Sequence, residues 1–192
     1  MAYQIKRVTL RNGPSVIIRP VQPQDAERIR DMYSRSSSRS IYMRYMRHTE
    51  PTLDEIRKIV NLDPSRGSVL VAATEGAFEQ VVGYAFYVID PSFKPYVAEP
   101  AIMIEDAYQG LGLGSELNRV LVEKSRSQNV YAFEAYVASS NDAIFRLVRK
   151  SGLPYVQSID NGEHVLFVVI EPEAQSANSV DNTQKAQLRE TA

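Results

Sequence analysis

One segment restricts this chain more than any other: Ala101-Ile102-Met103-Ile104-Glu105-Asp106-Ala107-Tyr108-Gln109-Gly110-Leu111-Gly112-Leu113-Gly114-Ser115. The apolar residues before Glu105 read as a strand. Leu117, Val120 and Leu121 then recur at helical spacing, so the glycines lie between a strand and an amphipathic helix. Glycines there let main-chain N–H groups come close to a ligand, and the free N–H groups of the helix start face the same space. The helix dipole favours an anion at that end, and a pyrophosphate suits it. A glycine-rich turn without a ligand is the plain alternative. A P-loop is excluded because Gly114-Ser115-Glu116 stands where Gly-Lys-Ser/Thr would be required. Glycines at 110, 112 and 114 also lack the spacing of a dinucleotide-binding fold.

The flanking sequence predicts a mixed α/β domain. Residues 8–10 and 16–19 read as short strands around Asn12-Gly13, a hairpin turn signal, with Pro20 and Pro23 ending the second. Asp25 and Glu27 sit in the first turn of a helix, where carboxylates complement the dipole. A Ser/Arg-rich stretch, 34–40, leads into a short amphipathic helix over 41–46, and Thr52 with Glu55 forms a capping box for the next. Residues 69–73, 81–89 and 98–104 are β-rich. Residues 131–138 read as a strand, 141–150 as a helix closed by Gly152, and 155–159 with 164–170 as a hairpin around Asn161-Gly162. The order predicts a central mixed sheet with helices on both faces, spanning residues 1–172. Residues 173–192 are polar and low in large apolar side chains, which predicts a disordered tail.

Composition narrows the function. The 192 residues contain no cysteine, which removes disulfides, thiolate nucleophiles and cysteine-ligated metals. His48 and His164 are isolated, so no metal site is expected. A net charge of -1 argues against a nucleic-acid field, and no apolar run is long enough to cross a membrane. The first ten residues lack the core and cleavage site of a signal peptide, so a cytoplasmic location is expected. The charge is uneven: residues 1–50 carry +6. Solvated helix faces explain that, as does a basic surface near an anionic ligand or a protein partner.

Gln109-Gly110-Leu111-Gly112-Leu113-Gly114 resembles the Gln/Arg-x-x-Gly-x-Gly/Ala signature of the GNAT superfamily of N-acetyltransferases, and the resemblance extends over roughly residues 8–170. It implies the GNAT fold, with acetyl-CoA as co-substrate. It also implies that the pyrophosphate is held by Gln109, Gly110, Leu111, Gly112, Leu113, Gly114 and Ser115, with the pantetheine arm paired to Ile102, Met103 and Ile104 like an added strand. Asn141 with Lys150-Ser151-Gly152-Leu153 looks like the family's second CoA-contacting segment, although Asn141 is also a good helix cap. Three further stretches resemble bacterial protein lysine acetyltransferases that modify acetyl-CoA synthetase: Val8 to Gly13, Ser37-Ser38-Arg39-Ser40-Ile41-Tyr42-Met43-Arg44-Tyr45, and Phe133-Glu134-Ala135-Tyr136-Val137. That implies a protein lysine acceptor, such as an acetyl-CoA synthetase-like protein. A small amine acceptor and a non-catalytic acyl-CoA sensor are the alternatives, and a homodimer is allowed.

In such a reaction the amine attacks the thioester directly, so no enzyme nucleophile is needed. Val97-Ala98-Glu99-Pro100-Ala101 resembles the strand start that carries the general base in these enzymes, which makes Glu99 the expected base and Glu134 its competitor. Backbone N–H groups near Met103 and Ile104 are expected to face the oxyanion. One departure stands out: many members carry a tyrosine seven positions after the helix-start Asn, and here that position is Val148.

Overall fold

The computed structural model describes residues 5–11, 13–89 and 96–171. Asn12 of the expected first hairpin turn lies outside them, as does the expected tail at 173–192. The strands are β1 (Lys6–Thr9), β2 (Ser15–Pro20), β3 (Gly67–Thr74), β4 (Val81–Ile89), β5 (Val97–Ile104), β6 (Ala132–Val137), β7 (Tyr155–Asp160) and β8 (Glu163–Val169). The helices are α1 (Asp25–Ser34), α2 (Ser38–Tyr45), α3 (Leu53–Val60), α4 (Leu113–Arg126) and α5 (Asp142–Ser151). A 3-10 turn, Asp106–Tyr108, leads into the glycines and was not expected from the sequence.

The eight strands form one sheet in the order β1-β2-β3-β4-β5-β6-β8-β7. β5 and β6 pair in parallel and the neighbouring pairs are antiparallel, so the sheet is mixed as expected. The closing hairpin does not extend the sheet in chain order, because β8 inserts between β6 and β7.

Two cores cover the two faces. On one, Leu113, Leu117 and Leu121 of α4 sit at i, i+4 and i+8 and pack against Ile18, Leu70, Ala85 and Tyr87. These three leucines are almost fully buried, and each contributes roughly 1.5–3 kcal/mol. On the other face, α1 to α3 bring Ile29, Met32, Tyr33, Ile41 and Ile56 onto Val71, Tyr84, Phe86 and Met103. The run Tyr84-Ala85-Phe86-Tyr87 therefore feeds both cores by alternation, as a doubly covered strand must.

Local signals explain the helix ends. The capping box of α3 forms as read: the Thr52 side chain accepts from Glu55 N, and the Glu55 carboxylate accepts from Thr52 N. Asp25 sits in the first turn of α1 as read. It is also fully buried, and its carboxylate accepts from Arg19 (2.6 and 2.9 Å), Arg28 and Gln22 N. Burial by itself would raise the Asp25 pKa, but these hydrogen bonds outweigh it and hold the carboxyl below the usual range.

Candidate functional site

β5 and β6 pair only at Val97–Ala132 and Ala98–Phe133. Beyond Ala98 the strands separate, and a cleft of about 740 Å³ opens between them. Glu105 N donates to Val82 O, which fixes the phase of the β4–β5 ladder. Alternation then turns the main-chain groups of Pro100, Ile102 and Ile104 away from β4 and toward the cleft. Proline suits the first of these positions, since it has no N–H to leave unpaired. Ile102 and Ile104 thus present an edge that no neighbouring strand pairs, while the amide of Met103 is used in the β4 ladder.

The glycine segment closes one end of this cleft. Gly110 (φ 74°) and Gly112 (φ 94°) adopt left-handed backbone, which costs other residues about 1–2 kcal/mol. A Cβ at either would meet nothing within 4 Å, so conformation rather than crowding demands glycine there. Gly112 is the N-cap of α4, and no side chain caps that helix. The first amides of α4 are therefore free to bind a ligand. Gly114 has open space too: an added Cβ would meet only Ile102 Cδ1, at 4.0 Å.

Of the residues expected at the site, Ile102, Met103, Ile104, Gln109, Gly110, Gly112, Gly114, Ser115 and Asn141 line the cleft. Leu111 and Leu113 do not; their side chains pack against the core, leaving only main chain for a ligand. Glu99 is exposed and lies beyond the lining. By strand alternation it shares the sheet face of Ala101 and Met103, which is the face covered by α1 to α3. Glu134 does not line the cleft, whereas Val148 does and also packs on the α4 core.

The sequence reading missed how α2 is held over the cleft. Asp106, in the 3-10 turn, accepts from Ser37 N (2.8 Å), Ser37 Oγ (2.8 Å) and Ser40 Oγ (3.0 Å). Partial burial opposes its ionisation, but these bonds prevail and hold the carboxyl below its usual pKa. Gln109 Nε2 donates to both Ser40 Oγ (3.0 Å) and Ile104 O (2.9 Å), so the signature glutamine ties loop, strand and α2 together. At the other end of α2, Asn141 Nδ2 donates to Met43 O (3.2 Å) while Asn141 Oδ1 caps α5 by accepting from Ile144 N. Asn141 thus caps α5 and also braces α2.

The cleft is basic. Arg11, Arg39, Arg44, Arg146 and Lys150 line it. Of the ten cations in residues 1–50, Lys6, Arg7, Arg19, Arg28, Arg30, Arg35 and Arg47 are ion-paired to carboxylates. The other three, Arg11, Arg39 and Arg44, have no carboxylate partner among the described residues, and all three line the cleft. The uneven charge of the sequence therefore divides in two: most of it is ion-paired to carboxylates of the chain, and the rest faces the site. Among the described residues no group of His, Asp or Glu could hold a metal, and no helix is long and apolar enough to cross a membrane. His48 stacks on Tyr42, and His164 packs edge-on against Phe145.

Comparison with known proteins agrees with this geometry. The profile of the acetyltransferase (GNAT) family matches residues 27–153. Acetyltransferase Pat of Mycolicibacterium smegmatis is 31% identical over 150 residues, which is 78% of this chain but 44% of the relative. The chain thus spans less than half the length of that protein. An L-methionine sulfoximine/L-methionine sulfone acetyltransferase of Pseudomonas aeruginosa is 32% identical over 89 residues, 45% of this chain and 51% of the relative. Among solved structures, the GNAT domain of S. lividans PAT superposes with a TM-score of 0.75 at 24% identity, covering 86% of this chain and 96% of that one. The Salmonella typhimurium protein yncA, solved with its cofactor acetyl-CoA, gives 0.66 at 21% identity, covering 86% and 99%. At these identities the superpositions speak for the fold, and the profile match speaks for the family. The profile covers more than half of the sequence, and the chain belongs to the acetyltransferase (GNAT) family.

Proposed function

We propose that this chain transfers the acetyl group of acetyl-CoA to an amine, and that the acceptor is a protein lysine. The observation that carries the reading is the uncapped start of α4 at Gly112, opening onto the gap where β5 parts from β6. In this reading the amides around Gly110, Gly112 and Gly114 receive the CoA diphosphate, with cleft cations to balance its charge. The free edge of Ile102 and Ile104 takes the pantetheine arm as an added strand. The protein acceptor is supported by the likeness to acetyltransferase Pat and by the Ser37–Tyr45 resemblance. A cytoplasmic setting belongs to the same proposal.

The chemistry combines these placements with the base, Glu99, that the sequence resemblance implies. A lysine ammonium has a pKa near 10.4, so freeing its lone pair at pH 7 costs about 4–5 kcal/mol. Glu99 accepts that proton, directly or through water. The amine nitrogen bonds to the thioester carbonyl carbon, and the N–H of Ile104, turned to the cleft, faces the developing oxyanion. The nitrogen then gives its second proton to water, the C–S bond breaks and CoA leaves as a thiolate. Val148 cannot protonate it. A thiol pKa near 8.5 lets water do so.

A second reading, a small amine acceptor, is favoured by the match to the methionine sulfoximine acetyltransferase. Incubating the protein with radiolabelled acetyl-CoA and separate pools of proteins and small amines decides between them. Label on protein lysine supports the proposal, label on small amines supports the second reading, and tight CoA binding with no transfer refutes both in favour of a sensor.

A further inference from the structure

Arg44 is set apart from the other cations that line the cleft. It lies on α2, one helical turn (about 6 Å) beyond Ser40, and it lines the cleft. Its guanidinium sits 4.6 Å from the Tyr45 ring centre and 5.3 Å from that of Phe86. Its Nε is sealed from solvent and has no hydrogen-bond partner. Its polar neighbours are the phenol groups of Tyr84, Tyr45 and Tyr33, whose hydroxyls bond to one another. Burial comes first in pushing the Tyr45 pKa up, and it does the same for Tyr33, so both phenols stay neutral near pH 7. Aromatic faces and neutral hydroxyls attract a cation without balancing its charge. A half-buried charge in that state is stabilised further when an anion arrives.

The position of Arg44 indicates which anion arrives. Phe86 stands opposite Ala101, and Tyr84 opposite Met103, on the face covered by α1 to α3. Glu99 is two residues before Ala101 on that same face. The α4 start, by contrast, is anchored by Leu113 in the core on the opposite face. Arg44 therefore belongs to the side of the sheet that carries the expected base, away from the glycine cup.

We propose that Arg44 selects the acceptor by pairing with a carboxylate carried next to the reacting amine, so that the preferred site is a lysine flanked by Asp or Glu. This rests on the reading of the chain as a protein lysine acetyltransferase. The incoming carboxylate supplies the missing counter-charge in a partly desolvated site, where a charge-assisted pair is strongest. The loss of one such bond corresponds to about a tenfold or greater change in affinity.

The test is a binding measurement that does not need turnover. Protein saturated with CoA is titrated calorimetrically with two heptapeptides that differ only in Glu or Gln beside a central lysine. The Glu peptide is expected to bind at least about tenfold more tightly. That preference should vanish in Arg44→Gln and survive in part in Arg44→Lys. Equal affinities for the two peptides in the unsubstituted protein, including no binding of either, overturn the proposal even if the variants fail to fold. So does a preference that persists in a folded Arg44→Gln. A parallel transfer assay with labelled acetyl-CoA separates the two claims. A Glu preference in binding without acetylation of either peptide contradicts the protein-acceptor reading and leaves the carboxylate site standing.

Discussion

Gly114→Ala sets the fold and the proposed function against each other. Gly114 lies in the first turn of α4, its φ is not in the left-handed region, and an added methyl would meet only Ile102 Cδ1, at 4.0 Å. The unliganded protein has room for it. Alanine is the better helix former by up to about 1 kcal/mol, so the variant should be as stable as the parent or slightly more so. For a domain of this size that is an increase in Tm of roughly 2–4 °C. The methyl would nevertheless stand in the cleft, where the diphosphate is proposed to sit against main-chain amides. Overpacking a fitted site typically costs about 1–3 kcal/mol, which predicts CoA binding weaker by roughly 5- to 150-fold. Differential scanning calorimetry with and without CoA, alongside isothermal titration, reads both effects. Opposite signs, firmer protein and weaker ligand, are expected. An unchanged CoA affinity would refute the placement of the diphosphate, and a clear loss of stability would refute the packing argument.

Further outcomes follow from the same structure. Gly112→Ala, at φ 94° with no atom for its Cβ to strike, should cost about 1–2 kcal/mol in chemical denaturation purely through backbone strain. Glu99→Gln should lower turnover about 10²-fold or more while leaving CoA affinity intact, and unchanged turnover excludes Glu99 as the base. Asn141→Ala, which loses both the α5 cap and the brace to Met43 O, should cost about 1–2 kcal/mol. The Asp25 carboxyl is held below its usual pKa, so its stabilisation is complete above the unfolded value near 3.9 and disappears as pH falls through the folded one. Arg19→Met should therefore lower stability at pH 7 and flatten the loss of Tm below about pH 4.

Much of the fold was legible because its signals are local. Thr52 with Glu55, Asn141, and Gly152 in left-handed backbone mark helix ends within a few residues of themselves. The glycine segment was legible for the same reason, since left-handed backbone and an uncapped helix start are written in consecutive residues. What escaped were long-range pairings. Asp106 and Gln109 meet Ser37 and Ser40 across nearly 70 residues of chain, and Asn141 meets Met43 across 98. Asp25 was legible as a dipole partner in the first turn of α1, but the burial against Arg19 that β2 imposes on it was not. The cleft itself is a place where pairing stops, and no residue pattern marks where two strands part. The insertion of β8 between β6 and β7 is of the same kind, because a hairpin signal fixes the turn but not which of its strands joins the sheet.

A crystal structure of the protein grown with acetyl-CoA tests the central claim most directly. The diphosphate should lie within hydrogen-bonding distance of the main-chain amides of residues 110–115, with the pantetheine along the free edge of Ile102 and Ile104. Density for the donor elsewhere, or a cleft that stays empty at saturating acetyl-CoA, would contradict it.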